Sequence, residues 1–374
     1  MRKADRIERH RSHGLSQVKM TRQMAPSALS RRAIRQGERV TLMGKREDQF
    51  KAMRFEHPQR IPVEVSLLPG TWRRHGQALL EVMRRYPVVF EGVIAPADPA
   101  RAGEENPMYL PGKHVDEWGC VWENIAAGLT SMVTGHPVPS RQDVRTLKPP
   151  AQVAPWLPHG FMFLRLADLR GFEEIMVDFA EQPPELQMLI DIVLAHNLRT
   201  LDVTLPLLEP GGLTRFGDDL GTQKALPISP ALWRKYLKPC YQAIYSRCHR
   251  AGHDVYMHTD GCIHEIIPDL IDCGVNVLNP QIRANGLDNL VRTCKGKVCI
   301  DLDLDRQLFP LATIGQIESH IRQCVEALYL PEGGLWLLAE CDPDVPLETI
   351  DGICRILNDI GAYMPLMTPK SPSG

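Results

Sequence analysis

Nowhere in this 374-residue chain does an apolar run approach the roughly 18 residues that a membrane-spanning helix needs. That excludes a helical membrane anchor of ordinary length. Closely spaced cysteine pairs are also missing. The ten cysteines are scattered, with no Cys-x-x-Cys among them. This argues against a small disulfide-stapled framework, and the expectation is a reduced, cytoplasmic chain. A charge of one sign is lacking too: the net charge is only −2, so the whole protein makes no case for a nucleic-acid partner. No Gly-x-Gly-x-x-Gly follows the first expected strand, which weakens a dinucleotide-binding fold.

What is present is an ordinary globular composition, 44% hydrophobic and 24% charged, enough for a substantial core. The charge is uneven, however. Residues 1–46 carry thirteen Lys or Arg against three Asp or Glu. They read as a basic, disordered leader, with Met20, Met24 and Met43 as candidate later starts. Residues 47–58 suggest a short helix, 60–67 a first strand, and 88–93 a second. Leu68–Thr71 reads as a loop, and residues 96–160 as a long Pro- and Gly-rich insertion. Within that insertion Asp116–Trp122 looks like a hairpin or an excursion over one face; loops this long are usually functional covers or disordered, and the tryptophans argue for an ordered one.

From residue 161 the pattern becomes regular. Strands are expected at 161–166, 213–219, 254–260, 275–280, 298–303 and 335–340, alternating with helices at 172–181, 185–205, 229–251, 262–273, 286–294, 314–329 and 347–362. Such alternation implies parallel pairing with right-handed crossovers. About eight strand positions result, so the expected fold is α/β, a single (β/α)8 TIM barrel over 47–365 with a long insertion after the second strand and a disordered tail at 366–374.

The stretch Asp254–Cys262 organises the reading. A β-branched and aromatic run ends in His258-Thr259-Asp260-Gly261, and an apolar helical pattern follows at once. His258 and Asp260 are two apart, so an extended strand presents them on one face. An imidazole beside a carboxylate can bind a metal, relay a proton or grip a substrate, and it can also merely tidy a strand end. Polar residues recur at the other strand ends: Asp218 and Asp219, Asn279 and Gln281, Asp301 and Asp303, Glu340 and Cys341. In a barrel these ends form one face, where active sites are built.

Several stretches together resemble the uroporphyrinogen decarboxylase superfamily over roughly 47–365. They are Phe55-Glu56-His57-Pro58-Gln59-Arg60-Ile61-Pro62-Val63, Asp116-Glu117-Trp118-Gly119 and Leu169-Arg170-Gly171-Phe172. Gly217-Asp218-Asp219-Leu220-Gly221-Thr222-Gln223 with Ile228-Ser229-Pro230, and His258-Thr259-Asp260-Gly261 with Ile267-Pro268-Asp269-Leu270-Ile271, complete the set. The resemblance implies a (β/α)8 barrel and one of two chemistries. One is cofactor-free decarboxylation of uroporphyrinogen III in tetrapyrrole biosynthesis. The other is methyl transfer between a corrinoid protein and a small thiol or methyl donor, using zinc.

The decarboxylases carry Arg-Gln-Ala-Gly-Arg after the first strand and Gly-His-Gly near the last. This chain has Leu68-Pro69-Gly70-Thr71-Trp72-Arg73-Arg74 and Ala339-Glu340-Cys341-Asp342 there. The methyltransferases carry His-x-Cys after the fifth strand and a second cysteine after the eighth. Here His258 matches, Asp260 stands for the first cysteine, and Cys341 or Glu340 lies near the second. The expected zinc ligands are therefore His258, Asp260, Cys341 and Glu340, with Cys262 a weaker candidate. Asp219, His258 and Asp303 are the expected catalytic residues, and Arg73, Asp218, Gln223, Gln281 and Asp301 the expected substrate contacts. Methyltransferase-like chemistry is the favoured expectation, decarboxylation the alternative, and a non-catalytic corrinoid- or tetrapyrrole-binding barrel the third. Any corrinoid would arrive in trans, because no Asp-x-His-x-x-Gly module is present. Expected partners are a small-molecule substrate, a corrinoid protein and a second copy of the chain, with no membrane and no nucleic acid.

Overall fold

The computed structural model describes residues 46–154 and 156–362. The leader, save its last residue, and the tail lie outside the described residues. No described helix is long and apolar enough to cross a membrane. The chain opens with α1 (46–54), β1 (Val63–Leu67) and α2 (Pro69–Arg85). A small excursion follows, built on β2 (Gly112–Val115), β3 (Val121–Asn124) and β4 (Met132–Gly135). Then come α3 (Phe163–Arg170), α4 (Phe172–Glu181), α5 (Pro184–Thr204) and β5 (Leu213–Gly217). The remainder alternates: α6 (Pro230–Tyr236), α7 (Lys238–Arg250), β6 (Asp254–Thr259), α8 (Ile267–Asp272), β7 (Val277–Pro280), α9 (Ile282–Asn285), α10 (Leu287–Cys294), β8 (Cys299–Asp303), α11 (Ile314–Leu328), β9 (Leu335–Cys341) and α12 (Leu347–Ala362).

Six strands form one parallel sheet in the order β1-β9-β8-β7-β6-β5. Strand periodicity sorts its side chains. Val255 and Met257 of β6, Ile300 and Leu302 of β8, and Leu335, Leu337 and Ala339 of β9 join the main core with the helices. Tyr256, Val277, Cys299 and Trp336 face the other way and pack on Ala52 and Met53 of α1, which closes the N-terminal end of the sheet. The same inner face turns polar toward the C-terminal strand ends, and the candidate site lies there.

The full eight-stranded barrel is not what forms among the described residues. The expected second strand, 88–93, is a run of turns, with Val89 and Phe90 both bonded through N–H to the Tyr86 carbonyl. A short apolar run fits a buried turn as well as a strand. The expected strand at 161–166 is instead the lead-in and first turn of α3. Its cause is non-local: the buried Asp218 carboxylate, just beyond β5, accepts the N–H groups of Met162, Phe163 and Leu164 at 3.1, 2.6 and 2.9 Å. A carboxylate at a helix start satisfies donors that have no partner inside the helix. Local aromatic propensity pointed to a strand and lost to that cap. Leu68–Thr71 is not a loop either; it opens α2, with Pro69 in the first turn.

The excursion is ordered, as the tryptophans suggested. Asp116 is its hub. One of its oxygens accepts from the Trp118 and Cys120 N–H groups, and the other from Trp122 Nε1 and the Arg165 guanidinium of α3. Gly70 N–H donates to the Gly128 carbonyl, so the β3–β4 connection lies against the start of α2, on one side of the sheet's C-terminal end.

Asp218 is fully buried and also accepts from Tyr241 Oη at 2.6 Å. Asp218→Asn sets an NH2 group among donors. It is expected to lower unfolding stability by about 2–4 kcal/mol, and Tyr241→Phe by about 1 kcal/mol. Urea denaturation checks this; an unchanged midpoint for Asp218→Asn would show that the cap is not anchoring α3.

Candidate active site

Two loops build the mouth of the sheet. The β5–α6 loop carries Asp219 and the β6–α8 loop carries Asp260. They interlock backbone to backbone: Gly221 N–H donates to the Asp260 carbonyl at 3.2 Å and Cys262 N–H to the Thr222 carbonyl at 2.7 Å. Gly261, with φ of +84°, lies so close to Gly221 that a Cβ on either would collide with the other loop. The Asp260 N–H donates to Asp219 Oδ1 at 3.2 Å. The two carboxylates are therefore positioned by backbone contact.

His258 is the penultimate residue of β6, with Asn279 of β7 as its register partner. Its Nδ1 lies 2.6 Å from Asn279 Oδ1, which directs Nε2 to the carboxylates: 3.2 Å to Asp260 Oδ1 and 4.0 Å to Asp219 Oδ1. Asn279 is held in turn by donating to the Asp301 carbonyl at 2.6 Å. From the other side comes His159, in the segment before α3. Its Nε2 is 3.3 Å from Asp219 Oδ2, and its ring centroid is 5.7 Å from that of His258. The ring sits over Gly217, where any Cβ would strike it.

On the far side stands Arg306. Its guanidinium contacts Asp303 and Glu340, and Nη2 reaches Asp260 Oδ1 at 3.3 Å. A continuous chain results, from His159 through Asp219, His258 and Asp260 to Arg306 and its two carboxylates. Burial works against charge on His258, but the Asp260 carboxylate, Asn279 and Asp219 outweigh it and raise its pKa to about 9. Asp219 is pushed up by burial and pulled further down by the two imidazoles, ending below the ordinary carboxylate range. Asp303 is raised to about 7, chiefly by burial, against the pull of Arg306. Burial likewise raises Glu340. Asp303 Oδ1 and Arg306 Nε are buried with no hydrogen-bond partner.

The expected residues divide. His258, Asp219, Asp260, Asp303 and Glu340 come together. Gln281 lies alongside and accepts the Gly261 N–H at 2.9 Å. Asp301 sits one layer deeper, accepting from Tyr256 Oη at 2.9 Å. Asp218 points away, into the α3 cap. Gln223 is exposed on the loop beyond. Arg73 is engaged with the excursion, donating to the Ala102 carbonyl at 2.7 Å. Cys341 is fully buried on the opposite face of β9 from Glu340, its thiol pushed well up by burial. It does not meet His258, so the thiolate-containing zinc set implied by the resemblance is not assembled. Cys262 is buried as well, its thiol also pushed up by burial.

Two members of the site escaped the sequence reading. His159 lies between Pro158 and Gly160 in a stretch with no periodicity, and no local signal marks it. Arg306 follows Asp303 by three residues, a spacing that could have flagged the pair. A separate open groove of about 660 Å³ runs between Pro149 and α5. Its histidine, His196, is held neutral by burial and by Arg199, with its pKa lowered to about 4, and it packs edge-on to Trp118. The groove brings together no comparable chain of charged groups.

The raised His258 pKa fixes a pH dependence. The folded value of about 9 exceeds the ordinary 6.5, so its contribution is complete below pH 6.5 and lost as pH rises through 9. In chelator-treated protein the parent is expected to lose about 3 kcal/mol more than His258→Gln between pH 6 and pH 10. Urea titrations at several pH values measure it, and equal slopes for the two proteins would contradict a charged, paired imidazole.

No family model matches the chain, and no curated protein matches it. Among solved structures, a methyltransferase from Methanosarcina mazei is similar over 84% of this chain and 98% of its own, with a TM-score of 0.55 at 16% identity. Dihydropteroate synthases from Xanthomonas albilineans and Yersinia pestis overlap 39% and 38% of this chain and 52% and 54% of theirs, at 15% and 17% identity, each with a TM-score of 0.27. The first likeness shows a shared α/β fold; the other two are too partial to carry an argument.

Proposed function

We propose that the chain is a methyltransferase-like enzyme that moves a methyl group between a small substrate and a corrinoid carried by a separate protein. The observation that supports this over decarboxylation is the charge of the mouth. Asp219, Asp260, Asp303 and Glu340 crowd it, and Arg306 is already engaged by three of these carboxylates. Arg73 donates to the Ala102 carbonyl and the exposed Arg74 to the Pro343 carbonyl. A tetrapyrrole with many carboxylates would meet four carboxylates there, and the guanidinium among them is already engaged by three. A small, neutral methyl donor meets no such penalty. The methyltransferase with the same fold is consistent with this reading.

The corrinoid, when docked, supplies the centre that accepts or donates the methyl group. The chain's own residues handle the heteroatom X of the substrate. As the CH3–X bond breaks, its electron pair stays on X, which then needs an electrophile. In the metal-free protein the His258 imidazolium, oriented by Asn279 and flanked by Asp219 and Asp260, stands there to provide a proton. The Arg306 cluster holds Asp260 in place.

The test is demethylation of small methyl thiols, ethers and amines with cob(I)alamin as acceptor, followed by absorbance as methylcobalamin forms. Asp219→Asn and His258→Ala are each expected to slow turnover by about 100-fold or more while keeping the parent's circular dichroism under assay conditions. Rapid coproporphyrinogen formation from uroporphyrinogen III by the same preparation would establish the decarboxylase instead. Turnover of neither, with tight corrinoid or tetrapyrrole binding, would establish a binding protein.

A further inference from the structure

His159, Asp219 and His258 reach the mouth from three separate segments, yet each offers a ligand atom within 4.8 Å of the other two. Both imidazoles direct Nε2 to the same carboxylate, His159 to Oδ2 and His258 to Oδ1. Ion-pairing alone does not require that convergence. Three further features single it out. The His258 Nδ1 is occupied by Asn279, the orienting contact that metal-bound histidines almost always have. Gly217 leaves the space that the His159 ring fills. The crossed Gly221–Gly261 loops fix the Asp219 backbone before any ligand arrives. Drawing the three atoms onto one ion at about 2.0–2.2 Å needs side-chain shifts of roughly one ångström.

We infer that His159, Asp219 and His258 bind a divalent transition metal ion through nitrogen and oxygen alone, with Asp260 as an adjoining carboxylate. The inference stands on the donor geometry and does not require methyl transfer. Without thiolate, the ion is a harder Lewis acid that favours an oxygen or nitrogen on the substrate over a thiol. Three protein ligands leave coordination positions open for that atom. When the ion is bound, both imidazoles are neutral, and it takes the electrophilic place that the His258 proton holds in the metal-free protein.

The experiment uses full-length, chelator-stripped protein titrated with zinc chloride by calorimetry and with cobalt(II) chloride by absorbance. One ion per chain is expected. His159→Ala and Asp219→Ala should each weaken zinc binding by at least about 100-fold, and Asn279→Ala by about 10–100-fold as an outer partner. Cys341→Ser should bind as the parent does. His159 is half exposed on a loop, so His159→Ala should keep the parent's circular dichroism and unfolding midpoint. The cobalt protein should show no thiolate charge-transfer band. No ion on the parent, parent-like affinity in His159→Ala, or a thiolate band lost in Cys341→Ser would each overturn the inference. Zinc bound without methyl transfer would sink the functional reading alone, and methyl transfer by protein that binds no ion would sink the metal site alone.

Discussion

The arrangement of the mouth depends on one buried carboxylate that takes no part in its chemistry. Asp218 accepts three backbone N–H groups from the start of α3 and the hydroxyl of Tyr241. A carboxylate with no solvent is costly unless its lone pairs are filled, and here they are filled by donors that the helix cannot satisfy itself. The consequence is positional. The segment before α3 is drawn against the end of β5, where Gly160 N–H also donates to the Gly217 carbonyl at 2.8 Å. That brings His159 over Gly217 and onto Asp219. Two neighbouring aspartates thus divide the work: one pins the segment, and the other receives the histidine it delivers.

Much of the regular half of the molecule was legible in the sequence. Strand and helix periods from residue 213 onward located β5 to β9 within two residues at either end, together with most of their helices, although the helix expected from 262 begins only at Ile267 and α9 was not expected. Residue parity on an extended strand put His258 and Asp260 on one face, and they lie 3.2 Å apart. What could not be read was set by contacts distant in sequence. Phe161–Leu166 has the composition of a strand, but a carboxylate more than fifty residues away caps it into a helix. Val88–Val93 has the composition of a strand and is buried as turns, because burial and not the ladder uses its apolar side chains. His159 lacked any periodic context, and its role comes only from the approach of β5. The expected helix at 229–251 breaks at Leu237 into α6 and α7, Pro239 falling in the first turn of α7.

Electrostatics in the mouth follow from which groups share a partner. Asp260 Oδ1 lies between His258 Nε2 and Arg306 Nη2, so it cannot move toward one without loosening the other. Arg306 divides its charge over Asp260, Asp303 and Glu340. Asp303, raised chiefly by burial against the pull of that shared guanidinium, reaches about 7, while Asp219, facing two imidazoles, falls below its ordinary range. Environments that push like groups apart are a common mark of sites that handle protons or ions. The aspartates differ here because one faces cations over both oxygens and the other is buried with one oxygen unpartnered.

The donor chemistry of the mouth is decided by packing on the other side of the sheet. Adjacent residues of a strand go to opposite faces, so only one of Glu340 and Cys341 can enter. The β9 register pairs Ser66 with Glu340 and Leu67 with Cys341. Leu335, Leu337, Ala339 and Cys341 all pack outward into the main core. Sliding β9 by one residue would bring the thiol to Arg306 and His258, but it would also turn every one of those side chains out of the core. Each buried leucine side chain contributes about 1.5–3 kcal/mol, far more than the choice of one polar neighbour at the strand's end. The hydrophobic layer therefore fixes the register, and the register offers the mouth a carboxylate where a soft, thiol-binding centre would need sulfur.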